Sequence, residues 1–327
     1  MPSITRPLLA ALGAVAFLTV SAPSLAQDAY PNRPVKVIVA LPAGGSVDMV
    51  ARLVSQQLAA DLGQPFVVDN KAGASGQIGT PLVARAAPDG YTLMVSPASF
   101  LTTNKSIFKT LPYNPEADFA PVTKLVNQAM VLVVRDKARF ASVADVLAAA
   151  KANPGKLTYA SSGDGSPQHL AGLMFESRTG TRLLHIPYKG GAPAITDLIG
   201  GVVDMVFAPL PEALPHIRGG KLHAVGVLSE KRAVSAPEIP TLREGGVEGV
   251  VLSAWIGLLA PAKTPRPILE RLDKSVKALL MRGDARARLL EVGMEPAPDD
   301  AKPLGQVIAE EIRVHAELVK AAGLVPQ

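Results

Sequence analysis

The 327-residue sequence contains no cysteine, a single tryptophan and only 4% aromatic residues. The first absence excludes disulfides, cysteine nucleophiles, thiolate metal sites and a lipid-bearing N-terminal cysteine. The second leaves few platforms on which nucleobases could stack. The net charge of +5 is spread along the chain without a basic block, so a nucleic-acid partner is not expected, and a mild positive field that draws in small anions is the better use of the charge. Long apolar runs are missing too. After the N-terminus no segment offers the roughly 20 uninterrupted apolar residues of a spanning helix.

Catalytic signatures are equally scarce. Gly73-Ala74-Ser75-Gly76-Gln77 fails the GxSxG elbow at its last position, and Ser166 is followed by Pro167. Gly163-Asp164-Gly165 leads to Gln168 rather than completing GxGxxG, and no GxxxxGK[ST] loop occurs. The histidines at 169, 185, 216, 223 and 315 show no HExxH or paired metal spacing. His185 and His223 fall in strand-like segments and read as structural. No catalytic residue, metal or cofactor is therefore expected.

What is present begins with a basic start ending at Arg6, the apolar run LLAALGAVAFLTV and the small-residue pattern Ser24-Leu25-Ala26. That is the form of a secretory leader cleaved after Ala26, placing the mature chain in the periplasm of a Gram-negative cell. Residues 27–327 exceed the usual size of one core, which predicts two lobes and a cleft.

Strand-like runs alternate with helix-like segments throughout, the pattern of parallel sheets covered by helices. VKVIVAL, FVVD and YTLMVS read as strands, with Val47, Val50, Val54, Leu58 and Leu62 at helical spacing between the first two. VLVV, KLTYA, LLHIP, VVDMVFA and HAVGVLS repeat the strand signal around VADVLAAAKAN, a helix through His169 and Met174, and APAITDLI. The tail after Pro265 is helical. The expected organisation is a leader at 1–26, the first part of lobe 1 at 27–126, lobe 2 at 127–249, and a return to lobe 1 at 250–327.

Four glycine-rich loops fall between a strand and a helix: Leu41-Pro42-Ala43-Gly44-Gly45-Ser46, residues 70–79 with Gly73-Ala74-Ser75-Gly76, Ser161-Ser162-Gly163-Asp164-Gly165-Ser166, and Tyr188-Lys189-Gly190-Gly191. Ligands of open α/β sheets bind beyond the carboxyl ends of strands, and exposed N–H groups at a helix start form an anion site. Glycines let an anion reach the backbone, and Ser46, Ser75 and Ser166 can add hydroxyl donors. Glycine and serine before a helix are also plain turn chemistry; four such loops in one chain favour ligand contact by at least two. Asp48, in a first helical turn, complements the helix dipole or meets the ligand. His169 either donates to the ligand or caps the 161–166 loop. Lys189 points into the cleft or into solvent. Ser96, ending YTLMVS, is counted with the site.

In this order, the stretches YPNRPVKVIVALPAGGSVDMVARLV, VVDNKAGASGQIGT, ARAAPDGYTL, YASSGDGSPQHLAG, PYKGGAPAITDLIGGVVDMVF, LPHIRGGKLHAVGVLSEKR, PEIPTL and WIGLLAPAKTP resemble the Bug-type (TctC-like) solute-binding receptors of tripartite tricarboxylate transporters over essentially the whole mature length. The resemblance implies an α/β, two-lobed periplasmic-binding-protein fold of type II. Its two open, mostly parallel sheets would close on a small organic carboxylate in an interlobe cleft. It places one carboxylate loop on Leu41–Ser46 with Asp48 behind it and a second on Gly73–Gly76. Ser161–Ser166, His169, Tyr188 and Lys189 would oppose them. The implied partners are the membrane subunits of such a transporter or, for a receptor that signals instead, a sensor protein; the receptor itself would be a monomer. Leu41, Ala43, Ser75, Leu173, Ala208-Pro209 and Ala254 depart from the common pattern. With fewer polar groups at the far end of the pocket, they imply a ligand with a more apolar distal part.

Overall fold

A computed structural model describes residues 30–297, 303–321 and 326. The leader predicted for residues 1–26 lies outside the described residues. The first elements are β1 (Val35–Val39), α1 (Ser46–Leu62), β2 (Phe66–Asn70), α2 (Thr80–Ala84), β3 (Thr92–Pro97), α3 (Ala98–Leu101) and α4 (Asn104–Ile107). Next come β4 (Phe119–Val134), α5 (Val143–Ala152), β5 (Thr158–Ser161), α6 (Pro167–Thr179), β6 (Leu184–Pro187), α7 (Gly191–Gly200), β7 (Met205–Pro209), α8 (Leu210–Arg218) and β8 (His223–Val227). The chain finishes with β9 (Ser253–Pro261), α9 (Arg266–Met281), α10 (Gly283–Glu291), β10 (Glu295–Pro296) and α11 (Leu304–Ala321).

The strands fall into two groups joined through β4. In the first, β2, β1 and β3 pair in parallel, with Val37 opposite Val68 on one side and Leu93 on the other. In the second, β6, β5 and β7 pair in parallel. Parallel pairing stops there, because β9 lies antiparallel between β3 and the first part of β4. The far end of β4 pairs antiparallel with β7 and β8. The reason is directional: the chain crosses the junction outward on β4 and back on β9, so the two crossing strands run opposite ways. Register shifts at Pro121/Thr123 and Lys124/Val126 mark bulges, which bend and twist a strand and let one ladder serve both groups.

Period-two alternation on β4 supplies two cores at once. Met130, Leu132 and Val134 enter a cluster with Val146, Leu170, Phe175 and Phe207. Val131 and Val133 turn to the opposite face, against Ala194, Ile195, Leu198 and Leu214. All five β4 residues are fully buried, as an apolar run flanked by helices on both faces requires. The first group has its own core, with Ile38, Met94, Leu101, Trp255 and Leu259 under Leu304 and Ile308 of α11. The last helix reaches two of these cores. An 18-residue helix is about 27 Å long, and α11 carries Leu304 and Ile308 to the first core and Val319 to the second.

Candidate functional site

The loop after β1 is shaped by its sequence. Pro42 ends the apolar run, Gly44 takes a left-handed φ of +88°, and Gly45 is the extended N-cap of α1, with no side chain capping the helix. Asp48, one turn in, is spent on holding this loop. Its Oδ2 accepts from Gly44 N–H at 2.9 Å and from Arg52 Nε at 2.9 Å. Its Oδ1 accepts from Asn70 Nδ2 at 3.0 Å, and the same amide donates to Leu41 O at 3.1 Å. Burial pushes the Asp48 carboxyl up, but the hydrogen bonds from Arg52, Gly44 and Asn70 outweigh it and hold it below the usual carboxylate range. With both oxygens engaged, the N–H groups of the first helical turn, which have no acceptor in the helix, stay available.

This loop forms one wall of a cavity of about 880 Å³, within the size of small-molecule sites. The opposite wall is the start of α7, where Gly190 is the N-cap with no side-chain cap, and one face of α8, which also starts without a side-chain cap. Glu291, Val292 and Met294 complete the lining. Three helix N-termini, the positive ends of their dipoles, thus border one cleft. Leu41, Pro42, Met49, Ile195, Leu214 and Met294 make much of the remaining surface apolar.

Glu212, in the first turn of α8, lines the same cleft. Its Oε2 is closed to solvent and has no hydrogen-bond partner, and burial pushes the carboxyl up to about 7.

Of the predicted site residues, Leu41–Ser46, Asp48 and Lys189 line this cleft, and Lys189 is exposed. Gly73–Gly76, Ser96, Ser161–Ser166, His169 and Tyr188 do not. The loop after β2 makes a single 3-10 turn in which Ala74 and Ser75 have φ of 47° and 51°. Asn104 Nδ2 holds it by donating to Ser75 O at 2.9 Å, and the same amide donates to Tyr113 Oη at 3.1 Å. The 161–166 loop packs against the same short helix, α4, with Gly165 so close to Ile107 that a β-carbon there would sit 2.5 Å from its Cδ1. Ser96 is buried and donates to Pro97 O at 3.1 Å. Tyr188 donates its hydroxyl to Asp197 Oδ2 at 2.7 Å.

His169 is a capping residue. Its Nδ1 accepts from Gly165 N–H at 3.0 Å, while Ser166 Oγ accepts from His169 N–H at 3.3 Å. Its ring stacks on His185 at 3.8 Å with 11° between the planes. Burial, then the neighbouring His185, push His169 down to about 4; burial also lowers His185. Ligating atoms of Asp164, His169 and His185 lie within 4.8 Å of one another. The near-parallel rings, however, aim their in-plane lone pairs side by side rather than at one point, and His169 Nδ1 is already engaged. Ser161 Oγ lies 2.6 Å from His185 Nε2, whose Nδ1 is 3.5 Å from Asp164 Oδ1. That spacing suggests a nucleophile, base and acid, but Ser161 is 0% exposed. Its Oγ accepts from Gly163 N–H at 3.1 Å, which leaves no approach for a substrate.

The α8 face, Ala192–Thr196 of α7 and residues 291–294 escape sequence reading. Gly190 and Gly191 belong to a loop already singled out. The visible signal for α8 is a lone acid, Glu212, inside the apolar stretch LPEALP.

Residues 50–324 match the model of the tripartite tricarboxylate transporter family receptor. The periplasmic binding protein BugD is 37% identical with a TM-score of 0.80, covering 91% of this chain and 100% of its own. Rpa4515 of R. palustris, solved with adipate, is 34% identical with a TM-score of 0.83, over 91% and 100% of the two chains. MatC of Rhodopseudomonas palustris, solved with malate, is 33% identical with a TM-score of 0.78, over 89% and 100%. The two-lobed periplasmic-binding-protein fold expected from sequence is borne out by these likenesses.

Proposed function

The chain belongs to the tripartite tricarboxylate transporter receptor family, and from that premise we propose that it is a periplasmic receptor that binds a small organic carboxylate in the 880 Å³ cleft and delivers it to the transporter's membrane subunits. The observation that carries this reading is the convergence of three helix N-termini without side-chain caps, those of α1, α7 and α8, on a cleft with much apolar lining. One ligand carboxylate takes the N–H groups at the start of α1, from Gly45 onward, a site pre-shaped by the bond from Gly44 N–H to Asp48. The apolar residues accommodate the carbon skeleton.

The lobes are residues 27–126 with 250–327, and residues 127–249. They close about the crossing strands β4 and β9. The ligand bridges both walls only in the closed form, so binding shifts a population rather than driving a reaction. Among the described residues no helix is long and apolar enough to cross a membrane. Export through the leader at 1–26 and action as a monomer complete the proposal.

The test is thermal unfolding of residues 27–327, refolded to strip carried-over ligand, against mono-, di- and tricarboxylates, aromatic acids and acidic amino acids. Adipate and malate, held by the two R. palustris proteins, head the panel. A ligand at about 100 times its Kd stabilises the native state by about 2.7 kcal/mol. A folded protein that responds to no carboxylate would overturn the reading.

A further inference from the structure

We propose that Ile107 is a latch between the two strand groups: carried by α4 beside the first group and seated on Gly165 and the apolar core of the second, it holds that flank shut, so that the cleft opens only at its α1–α7 mouth. The inference rests on the hinge reading given above and adds which flank moves; it does not depend on the ligand.

The two groups face each other unequally. On one flank the loop after β1 and the starts of α7 and α8 stand apart across about 880 Å³. On the other, Ala98, Ser99 and Thr103 meet Pro167 and Leu170 around a cavity of only about 30 Å³, about one water's share of liquid volume. Ile107 crosses this closed flank. It follows β3 and α3 of the first group in the chain, yet its side chain packs against the core that holds Leu170 and Phe207 of the second. A β-carbon on Gly165 would lie 2.5 Å from Ile107 Cδ1 and 2.7 Å from Cγ2, and Gly165 has a φ of +71°. Space and backbone conformation therefore both demand glycine at the seat. Each half of the latch is fixed. On the α4 side, buried Asn104 donates to Ser75 O and Tyr113 Oη, and Thr103 Oγ1 lies 3.0 Å from His315 Nδ1 of α11. On the seat side, Gly165 N–H donates to His169 Nδ1 at 3.0 Å.

Opening the closed flank would lift Ile107 off its seat and return its apolar surface to water, at a cost proportional to the area exposed. It would also shear α11, whose Leu304 and Ile308 sit in one core and Val319 in the other. Opening the mouth only widens a space already there. Ala254 of β9 lines the small cavity, which puts a crossing strand beside the latch, where a hinge for one-sided opening must lie. The glycine at 165 thus serves as the seat of an interlobe contact.

The sequence has no cysteine, so paired cysteine substitutions carry spin labels without background. Met49→Cys with Thr196→Cys spans the mouth, and Lys105→Cys with Ser177→Cys spans the latched flank, all four positions being exposed. Double electron–electron resonance on the ligand-free protein should give a narrow distance distribution across the flank and a broad one across the mouth. Ile107→Ala, which removes three carbons from a half-buried side chain, should raise the population of the open flank about tenfold and broaden its distribution. Ile107→Val keeps a branched side chain on the seat and should leave the flank narrow; circular dichroism checks that each variant is folded. A wild-type flank as broad as the mouth, a mouth as narrow as the flank, or a folded Ile107→Ala protein whose flank stays narrow overturns the proposal. None of these distances needs a ligand, so failure of the carboxylate panel would strike the receptor reading and leave the latch to be judged on its own.

Discussion

Replacing Asp48 by asparagine changes neither size nor shape, yet it should loosen the loop after β1. In the native protein Oδ2 accepts from Gly44 N–H and Arg52 Nε, and Oδ1 accepts from Asn70 Nδ2. An asparagine offers one oxygen and one NH2 group, so in either orientation a donor faces a donor. If the oxygen stays toward Gly44, the new NH2 opposes Asn70 Nδ2. That amide can turn only by giving up its bond to Leu41 O at 3.1 Å. One buried donor left unsatisfied costs about 1–3 kcal/mol. Lost charge assistance at Gly44 adds to this, whereas exposed Arg52 is screened by solvent. The expected loss is therefore about 2–4 kcal/mol in urea unfolding at pH 7, with carboxylate affinity falling about tenfold as the loop loses pre-organisation. The pH dependence fixes the cause. The folded Asp48 carboxyl lies below its ordinary value, so its contribution is present above about pH 3.9. It is lost as pH falls through the folded value, and the gap between wild type and variant should close there. Equal stability and affinity at pH 7, or a gap that persists in acid, would refute the argument.

Gly45→Val should abolish carboxylate binding with little change in stability, because Gly45 has an extended backbone and a β-carbon there meets nothing within 4 Å; titration calorimetry and urea unfolding separate the two effects. Ser75→Gly should stabilise the fold by about 1 kcal/mol, the relief of a left-handed non-glycine residue, read as a higher urea midpoint with unchanged slope. Trp255, the only tryptophan, donates Nε1–H to Glu311 at 2.9 Å, and burial pushes that carboxyl up to about 7. Its fluorescence should titrate near pH 7 in the wild type and stay flat in Glu311→Gln. A raised carboxyl stabilises fully below its unfolded value near 4.5 and less as pH rises through about 7. Wild type should therefore lose stability between pH 5 and 8 relative to that variant. Leu132→Ala, in a fully buried β4 position, should cost about 2–5 kcal/mol in the same unfolding assay.

Strands and helices with a strong period were legible because their burial is one-sided or complete. VKVIV, VADVLAAAKA and the α9 segment fall where the pattern puts them. That the loop after β1 lines a cavity was legible too, since a proline, two glycines and an acid at the helix start have local reasons to occur together. Less was legible where one segment depends on a distant one. The 16-residue β4 reads as strand only in its VLVV end. Its first part alternates weakly, and gains its ladder from β9, more than a hundred residues later.

Sequence alone determined the class of this protein. Apolar periodicity decides which segments can bury a face, and glycines before helices decide where backbone N–H groups can meet an anion. Tertiary structure decided which of those loops share a cavity. Leu41–Ser46 faces Gly190–Gly191 and α8, while the equally glycine-rich 73–76 and 161–166 loops pack about α4. It also decided what the polar residues are for. Asp48 spends its acceptors on its own loop and on Asn70 of β2, His169 spends its Nδ1 on the 161–166 loop, and Glu212, between a proline and an alanine in sequence, is left beside the cleft with a buried, unpaired oxygen. Local sequence sets the conformations a segment can take. The partner of a buried polar atom is set by whichever distant element packs against it, and no pattern within the segment encodes that.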